Sequence, residues 1–254
     1  MSFTAIDSST AIAPAVSIVI PVCNEAGSVA ALTAEIEAAL PPLGPFEILF
    51  VDDGSTDGTA QAVSELRARR PGVIRLLRHS QRSGQSAAVL TGVRAAKAAW
   101  IATLDGDGQN DPADIAQLMA IRFAPDAPHG LGLIAGNRTT RRDTWLRRFS
   151  SQVANGVRSR MLHDGTPDTG CGIKLFDRAL FLSLPHFDHM HRFLPALFQR
   201  AGATVVSVPV RHRARTQGRS KYGLHNRLWV GIVDLFGVMW LIQRAVPPHT
   251  TSEE

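Results

Sequence analysis

The sequence predicts an α/β fold, a mainly parallel central sheet flanked by helices. Three observations lead there. Short apolar runs recur at residues 16–21, 47–51, 74–77, 100–104 and 131–135. Alanine-rich stretches with helical spacing separate them, at residues 28–40, 59–70, 83–99 and 112–123. The runs are apolar throughout rather than alternating, as in strands covered on both faces. Beyond Arg138 the alternation loosens into a helix at residues 145–162, a Gly-rich segment, a strand at 173–176, a helix at 192–201 and a strand at 204–210.

The 254 residues suit one domain, taken as residues 15–222. A disordered lead-in is expected over residues 1–14, an amphipathic C-terminal helix over 223–244 and a disordered tail over 245–254. The first 14 residues lack the basic start of a secretory signal. The net charge of +5 points to an anionic partner. Two cysteines, Cys23 and Cys171, make no disulfide framework and suit a reducing, cytoplasmic compartment. The longest apolar run, residues 228–242, is broken by Asp234, so no membrane-spanning helix is expected.

In such sheets ligands bind beyond the carboxyl ends of the strands, so the residues that follow each strand matter most. After the first strand comes Pro21-Val22-Cys23-Asn24-Glu25, and after the second Asp52-Asp53-Gly54-Ser55-Thr56-Asp57-Gly58-Thr59. After the fourth comes Asp105-Gly106-Asp107-Gly108-Gln109-Asn110-Asp111-Pro112. Asp105 and Asp107, two apart around a glycine, can turn toward one hard cation, Mg²⁺ or Mn²⁺, with Gln109 adding a neutral oxygen. A diphosphate would complete the shell. Asp111 before Pro112 reads instead as a helix cap. An EF-hand fails, because its sixth and twelfth positions hold Asn110 and Ala116. An aspartyl phosphatase stays a distant alternative. Much of the segment from Asp52 to Thr59 has turn and cap chemistry. Asp53 is the carboxylate placed to accept from the N–H groups of a uracil or guanine, and Glu25 is placed near base or ribose.

These three motifs, in this order and spacing, resemble the family-2 glycosyltransferases, whose fold is GT-A. More narrowly they resemble the polyprenyl-phosphate branch, the dolichyl-phosphate mannose synthases and bacterial undecaprenyl-phosphate glycosyltransferases. The match covers nearly all of residues 16–243. The resemblance implies that Pro21, Cys23, Glu25, Val51 and Asp53 surround the nucleoside and that Asp105, Asp107 and Gln109 hold the metal. Cys23 departs from the Tyr common at its position. Ala135-Gly136-Asn137-Arg138 resembles the family's Gly-x-Arg segment, and Arg147-Arg148-Phe149-Ser150 its arginine-rich helix start. The stretch from Asp168 to Lys174 resembles the lining of the sugar pocket, and that from Arg215 to Tyr222 the loop over the phosphates. Gly106, Arg148 and Lys174 are accordingly placed at the donor, and Arg138, Arg215 and Lys221, with Asp105 and Asp107, at the reacting groups. Arg pairs with phosphate by a fork and Lys as a point charge.

An alcohol acceptor needs a general base. Polymer-making relatives carry an acidic pair where this chain reads His189-Met190-His191-Arg192. A phosphate monoester, with a second pKa of ~6, is a dianion at neutral pH and needs only positioning. The expected reaction is therefore an inverting, metal-dependent transfer from a UDP- or GDP-sugar to polyprenyl phosphate. His191 and Arg192 are read equally as substrate contacts or as cap and packing. The segment from Arg211 to Tyr222, rich in cations, is expected to be mobile until phosphate binds. The tail helix, with Trp229 and Trp240, is expected to lie on the inner face of the cell membrane; packing on the domain or in a homodimer would serve equally. Two further functions fit the same motifs. One is a family-2 enzyme with a polysaccharide or hydroxyl acceptor, and the second is a non-catalytic nucleotide-sugar-binding subunit. A nucleotidyltransferase is disfavoured, because residues 22–27 hold no basic residue. Nucleic acid is excluded as a partner: aromatics make 6% of the chain, and its cations sit in phosphate motifs.

Overall fold

A computed structural model of the chain describes residues 13–138, 158–162, 164–213 and 224–244, without the side chains of Leu43 and residues 224–230. In chain order the elements begin with β1 (Val16–Val22), α1 (Val29–Ala39), β2 (Phe46–Asp52), α2 (Thr59–Arg69), β3 (Ile74–Arg78) and α3 (Gln85–Ala95). Next come β4 (Trp100–Thr103), α4 (Ala113–Phe123), β5 (Leu131–Arg138), α5 (158–162) and β6 (Lys174–Asp177). The chain continues through α6 (Arg178–Ser183), a 3-10 turn (Met190–Arg192), α7 (Leu194–Arg200), β7 (Thr204–Val210) and α8 (Leu224–Gln243). The strands among the described residues form one seven-stranded sheet in the order β3-β2-β1-β4-β6-β5-β7. Only β6 runs against its neighbours, β4 and β5; the other pairs are parallel.

Alternation along the strands builds two cores. Ile18, Ile20, Ile48 and Phe50 pack under α1, α2 and α4, with Leu32, Val63 and Ile115. Val19, Leu49 and Val51 turn to the other face, which joins α3, α6, α7 and α8 through Val93, Phe181, Phe198 and Val238. Both faces are covered, which is why the strands read as unbroken apolar runs. The order reverses between β1 and β4, so a crevice opens where the chain leaves those two strands.

The expected elements are present with shifted ends. Helix α3 stops at Ala95 rather than 99, for a long-range reason. The N–H of Lys97 donates to Glu47 Oε1 (2.6 Å), the N–H of Ala98 to Ser17 Oγ (3.0 Å), and Arg75 Nη1 takes the carbonyl of Ala95 (2.8 Å). The expected helix at 192–201 divides at Phe193 into the 3-10 turn and α7, which carries Pro195 in its first turn. Strand β5 runs on to Arg138. Of the expected helix at 145–162, residues 158–162 are helical and the rest lies outside the described residues.

Helix α8 packs one side on the domain. Val238 is buried, and Leu235, Met239 and Ile242 lie against the core beside α7. Arg200 Nε donates to Leu241 O (2.8 Å), and His189 Nδ1 stands 3.2 Å from Asp234 Oδ2. Its other side leaves Val233, Phe236 and Trp240 more than half exposed. No helix among the described residues is long and apolar enough to cross a membrane.

Glu47 is a buried carboxylate that joins β1, β2, β3 and the end of α3. Burial opposes its charge, yet hydrogen bonds from Ser17, Arg75 and the Lys97 N–H outweigh burial and hold its carboxyl below the usual value. Glu47→Gln should lower stability by about 2 kcal/mol, read as a shift of the urea midpoint. Because the folded pKa is lowered, the wild-type advantage is complete above the ordinary glutamate range and is lost as pH falls through the folded value. The two proteins should therefore converge in acid; a gap that widened there would contradict this assignment.

Candidate active site

The crevice is walled by turns that hold one another. Asn24, with φ of 54°, accepts from the N–H of Thr56 through Oδ1 (2.7 Å), while its own N–H donates to Ser55 Oγ (2.9 Å). The N–H of Glu25 donates to Thr59 Oγ1 (2.8 Å), and Asp52 Oδ1 accepts from the N–H of Ser55 (3.0 Å). Most of the segment from Asp52 to Thr59 thus serves the turn. Pro21, Cys23 and Glu25 are partly exposed at the mouth of the crevice. Val51 is fully buried, and a Cβ at Gly92 of α3 would lie 3.2 Å from its Cγ2, so its side chain faces the core rather than the crevice.

Asp53 is buried and heavily engaged. Its Oδ1 accepts from the N–H of Ser83 (2.8 Å) and lies 2.8 Å from His79 Nδ1; its Oδ2 accepts from the N–H of Gly84 (2.9 Å). His79 Nε2 reaches Thr91 Oγ1 (2.9 Å). Burial opposes the charge of Asp53, but these donors outweigh burial and hold its carboxyl below the usual value. Asp53 therefore anchors the loop into α3 from across the sheet, a role its local sequence does not reveal. Gly54 fits the same contact: with φ of 68°, a Cβ there would lie 2.6 Å from the backbone nitrogen of Arg82.

Asp105 and Asp107 leave β4 beside the end of β1. Gly106 between them has no room for a Cβ, which would meet Val22 Cγ1 at 2.7 Å, and its carbonyl accepts from Ser28 Oγ (2.6 Å). Asp105 Oδ1 accepts from Gln85 Nε2 (2.9 Å), at the start of α3. Asp107 Oδ1 accepts from the N–H of Gln109 (3.1 Å). Gln109 Nε2 donates to Arg213 O (3.3 Å), which leaves the amide oxygen as the end that can ligate. Burial pushes the Asp105 carboxyl up and the charge of Asp107 adds to this; Lys174, Arg138 and Gln85 offset only part. Among the described residues no group of three or more His, Cys, Asp or Glu gathers into a metal centre. Two carboxylates and an amide fit a hard divalent cation whose remaining ligands come from a substrate. Asp111 is the cap expected of it: its Oδ1 accepts from the N–H of Ala113 (3.0 Å).

A cationic wall stands behind this pair. Lys174, fully within the fold, donates to the carbonyls of Cys171 and Thr169. Burial pushes its pKa down, against the charges of the nearby carboxylates Asp105 and Asp168. Arg138 is forked onto Asp168, through Nε (2.7 Å) and Nη2 (2.9 Å), so it is pre-set rather than free. The loop that carries Asp168 is tied in turn by Arg158, whose Nη1 and Nη2 bind Asp164 Oδ2 (2.7 Å) and Thr166 O (2.7 Å). His191 Nδ1 lies 2.7 Å from Ser86 Oγ. Arg148, Arg215 and Lys221 lie outside the described residues.

The expected mobile cation cluster needs one correction. Arg211 pairs with Asp114 (3.0 Å) and Asp111 (3.2 Å), and Arg213 with Glu35 (2.6 Å) and Asp111 (3.0 Å). The N–H of Arg213 also donates to Gln109 O (2.9 Å). These two arginines are balanced and fasten the chain after β7 to the Asp105–Gln109 turn.

The model for glycosyl transferase family 2 matches residues 17–184. The chain belongs to that family. It is 34% identical over 212 residues to an undecaprenyl-phosphate 4-deoxy-4-formamido-L-arabinose transferase of Edwardsiella ictaluri, covering 82% of this chain and 63% of that one. It is 33% identical over 238 residues to a dodecaprenyl-phosphate galacturonate synthase of Rhizobium johnstonii, covering 92% of this chain and 69% of that one. The chain thus spans less than two thirds of the first relative's length. A glucosyl-3-phosphoglycerate synthase of Mycobacterium tuberculosis, solved with Mn²⁺, UDP and phosphoglyceric acid, superposes with a TM-score of 0.67 at 20% identity, covering 93% of this chain and 80% of its own. A mannosyltransferase of Pyrobaculum calidifontis, solved with GDP-mannose and Mn²⁺, gives 0.65 at 22%, covering 94% and 67%. The GT-A fold expected from the sequence is the fold these neighbours share with it.

Gly172 decides how Asp105 sits. A Cβ there would lie 2.2 Å from Asp105 Oδ2 and 2.8 Å from Asn110 Oδ1. Gly172→Ala should displace that carboxylate and weaken Mn²⁺ binding in the presence of a nucleoside diphosphate by about 10- to 100-fold, with an unchanged circular dichroism spectrum. Wild-type affinity in a folded Gly172→Ala protein, by electron paramagnetic resonance, would refute this reading of the close approach.

Proposed function

We propose that this chain transfers a sugar, with inversion, from a UDP- or GDP-sugar to polyprenyl phosphate. The observation that carries the reading is the Asp105–Asp107 pair at the switch-point crevice, set against the buried cations Lys174 and Arg138. That arrangement suits two phosphorylated substrates. The relatives that match over most of this chain are named for polyprenyl-phosphate acceptors, and the structural neighbours were solved with UDP or a GDP-sugar. Asp105, Asp107 and Gln109 would hold Mg²⁺ or Mn²⁺, which when bound neutralises the charge of the departing diphosphate. Pro21, Cys23 and Glu25 border the nucleoside, and Asp53 fixes the loop beside it and accepts from the base. Lys174 and Arg138 supply fixed positive charge near the reacting carbon. The donor's anomeric carbon is attacked once, from the side opposite the departing diphosphate.

A hydroxyl acceptor would require a base. The carboxylate on the relevant segment, Asp188, is turned onto its neighbour, accepting from the N–H of His189 (2.8 Å). Asp107→Ala should abolish transfer and weaken donor binding in a folded protein. Polyprenyl phosphate should accept sugar where the matching free alcohol does not, with product scored by mass. Comparable turnover of the alcohol that disappears in Asp188→Asn would return the enzyme to the hydroxyl-acceptor class.

The acceptor's lipid places the reaction at a membrane surface. We assign Val233, Phe236 and Trp240 of α8, aided by the positive charge of the chain, to the inner face of the cell membrane. Replacing Phe236 and Trp240 together by Ser should reduce co-sedimentation with anionic vesicles by about tenfold, at about 25 cal/mol/Å² of lost apolar contact, and leave donor binding intact. Undiminished sedimentation would assign this face to a second copy or another partner instead.

A further inference from the structure

Ser86 and His191 lie 105 residues apart and form a closed pair beside the site. Ser86 is buried, 4% exposed, so its hydroxyl proton needs an acceptor. Its Oγ already accepts from the backbone N–H of His191 (3.3 Å). Among the described residues the one acceptor for the Ser86 proton is His191 Nδ1, at 2.7 Å. Nδ1 is therefore the unprotonated nitrogen, and in a neutral ring the proton sits on Nε2. The ring is neutral: burial and the charges of Lys174, Arg192 and His189 bring its pKa down to about 3. An imidazole in this state has no lone pair left to offer. It can donate from Nε2, and it cannot take a proton from an alcohol. The pair is tied to the Asp105 turn through the start of α3. Gln85 and Ser86 are consecutive at the start of α3; the first holds Asp105 and the second holds His191. The imidazole also shares the field of Lys174 with Asp105.

We propose that His191 is a specificity-determining residue whose Nε2–H, fixed by Ser86, binds a non-bridging oxygen of the phosphate nucleophile and withholds base catalysis from alcohols. Ser86 is the positioning residue. The inference rests on the phosphate-acceptor reading above and adds the group that enforces it.

The test is steady-state kinetics of the full chain with a short-chain polyprenyl phosphate, varying each substrate in turn, together with ¹⁵N NMR of histidine-labelled protein. His191→Leu should raise the acceptor KM by about tenfold or more, as for a lost hydrogen bond to a charged group, and leave the donor KM unchanged. His191→Gln, which keeps an N–H near the Nε2 position, should recover much of the loss. Ser86→Ala should raise the acceptor KM and Ser86→Thr should reverse this, which carries the test if His191→Leu does not fold. The NMR spectrum should show His191 protonated at Nε2 and bare at Nδ1. A His191 protonated at Nδ1, an unchanged acceptor KM in His191→Leu, or a loss shared equally with the donor would each overturn the proposal. In those cases normal wild-type transfer to the phosphate would leave the acceptor reading standing. Wild-type transfer to the alcohol alone would remove both.

Discussion

The carboxylate of Asp53 sets the geometry of the whole crevice. It belongs to the end of β2, yet its bonds go to His79 after β3 and to the N–H groups of Ser83 and Gly84 before α3. Donors at a helix start are left over by the helix itself, and a carboxylate there also meets the favourable end of the helix dipole. With that start fixed, Gln85 meets Asp105 and Ser86 meets His191. One buried anion thus fixes the helix start that sets Gln85 against Asp105 and Ser86 against His191.

A second constraint is electrostatic. Asp105 and Asp107 repel, and burial adds to the cost of their charge. Lys174 faces the opposite difficulty, a cation removed from water. Each partly relieves the other, and the forked Arg138–Asp168 pair keeps a further cation nearby without leaving it bare. The crevice therefore holds carboxylates and cations that partly offset one another. This is a general property of preorganised charge: the groups are held before the substrate arrives, so little reorganisation is needed.

The strands and the Asp105–Asp107 pair were legible in the sequence because their signals are local. A run of four to seven apolar residues bounded by turn residues reads as a strand whatever it pairs with, and two carboxylates around a glycine after such a run form a compact pattern. Asp111 was legible as a cap for the same reason. What escaped was long-range. Nothing near Ala95 announces that Glu47 and Ser17 will end α3, and nothing near His79 announces its bond to Asp53. Val51 looked like a pocket residue by resemblance, but strand alternation turns it to the core. Arg211 and Arg213 looked like idle phosphate binders because their partners, Glu35, Asp111 and Asp114, lie about a hundred residues or more upstream.

The glycines around the crevice have a consequence for substitution. At Gly54, Gly106 and Gly172 a methyl group would meet backbone, a neighbouring strand or a site carboxylate within 2.7 Å, and at Gly136 it would meet three atoms at 3.0 Å. A side chain at such a position fits only if a neighbour shifts: the Arg82 backbone at Gly54, Val22 at Gly106 and Asp105 at Gly172. A new side chain enters this inner ring only where a second position gives way. Exchange of one residue at a time is left to the side chains that project from the turns.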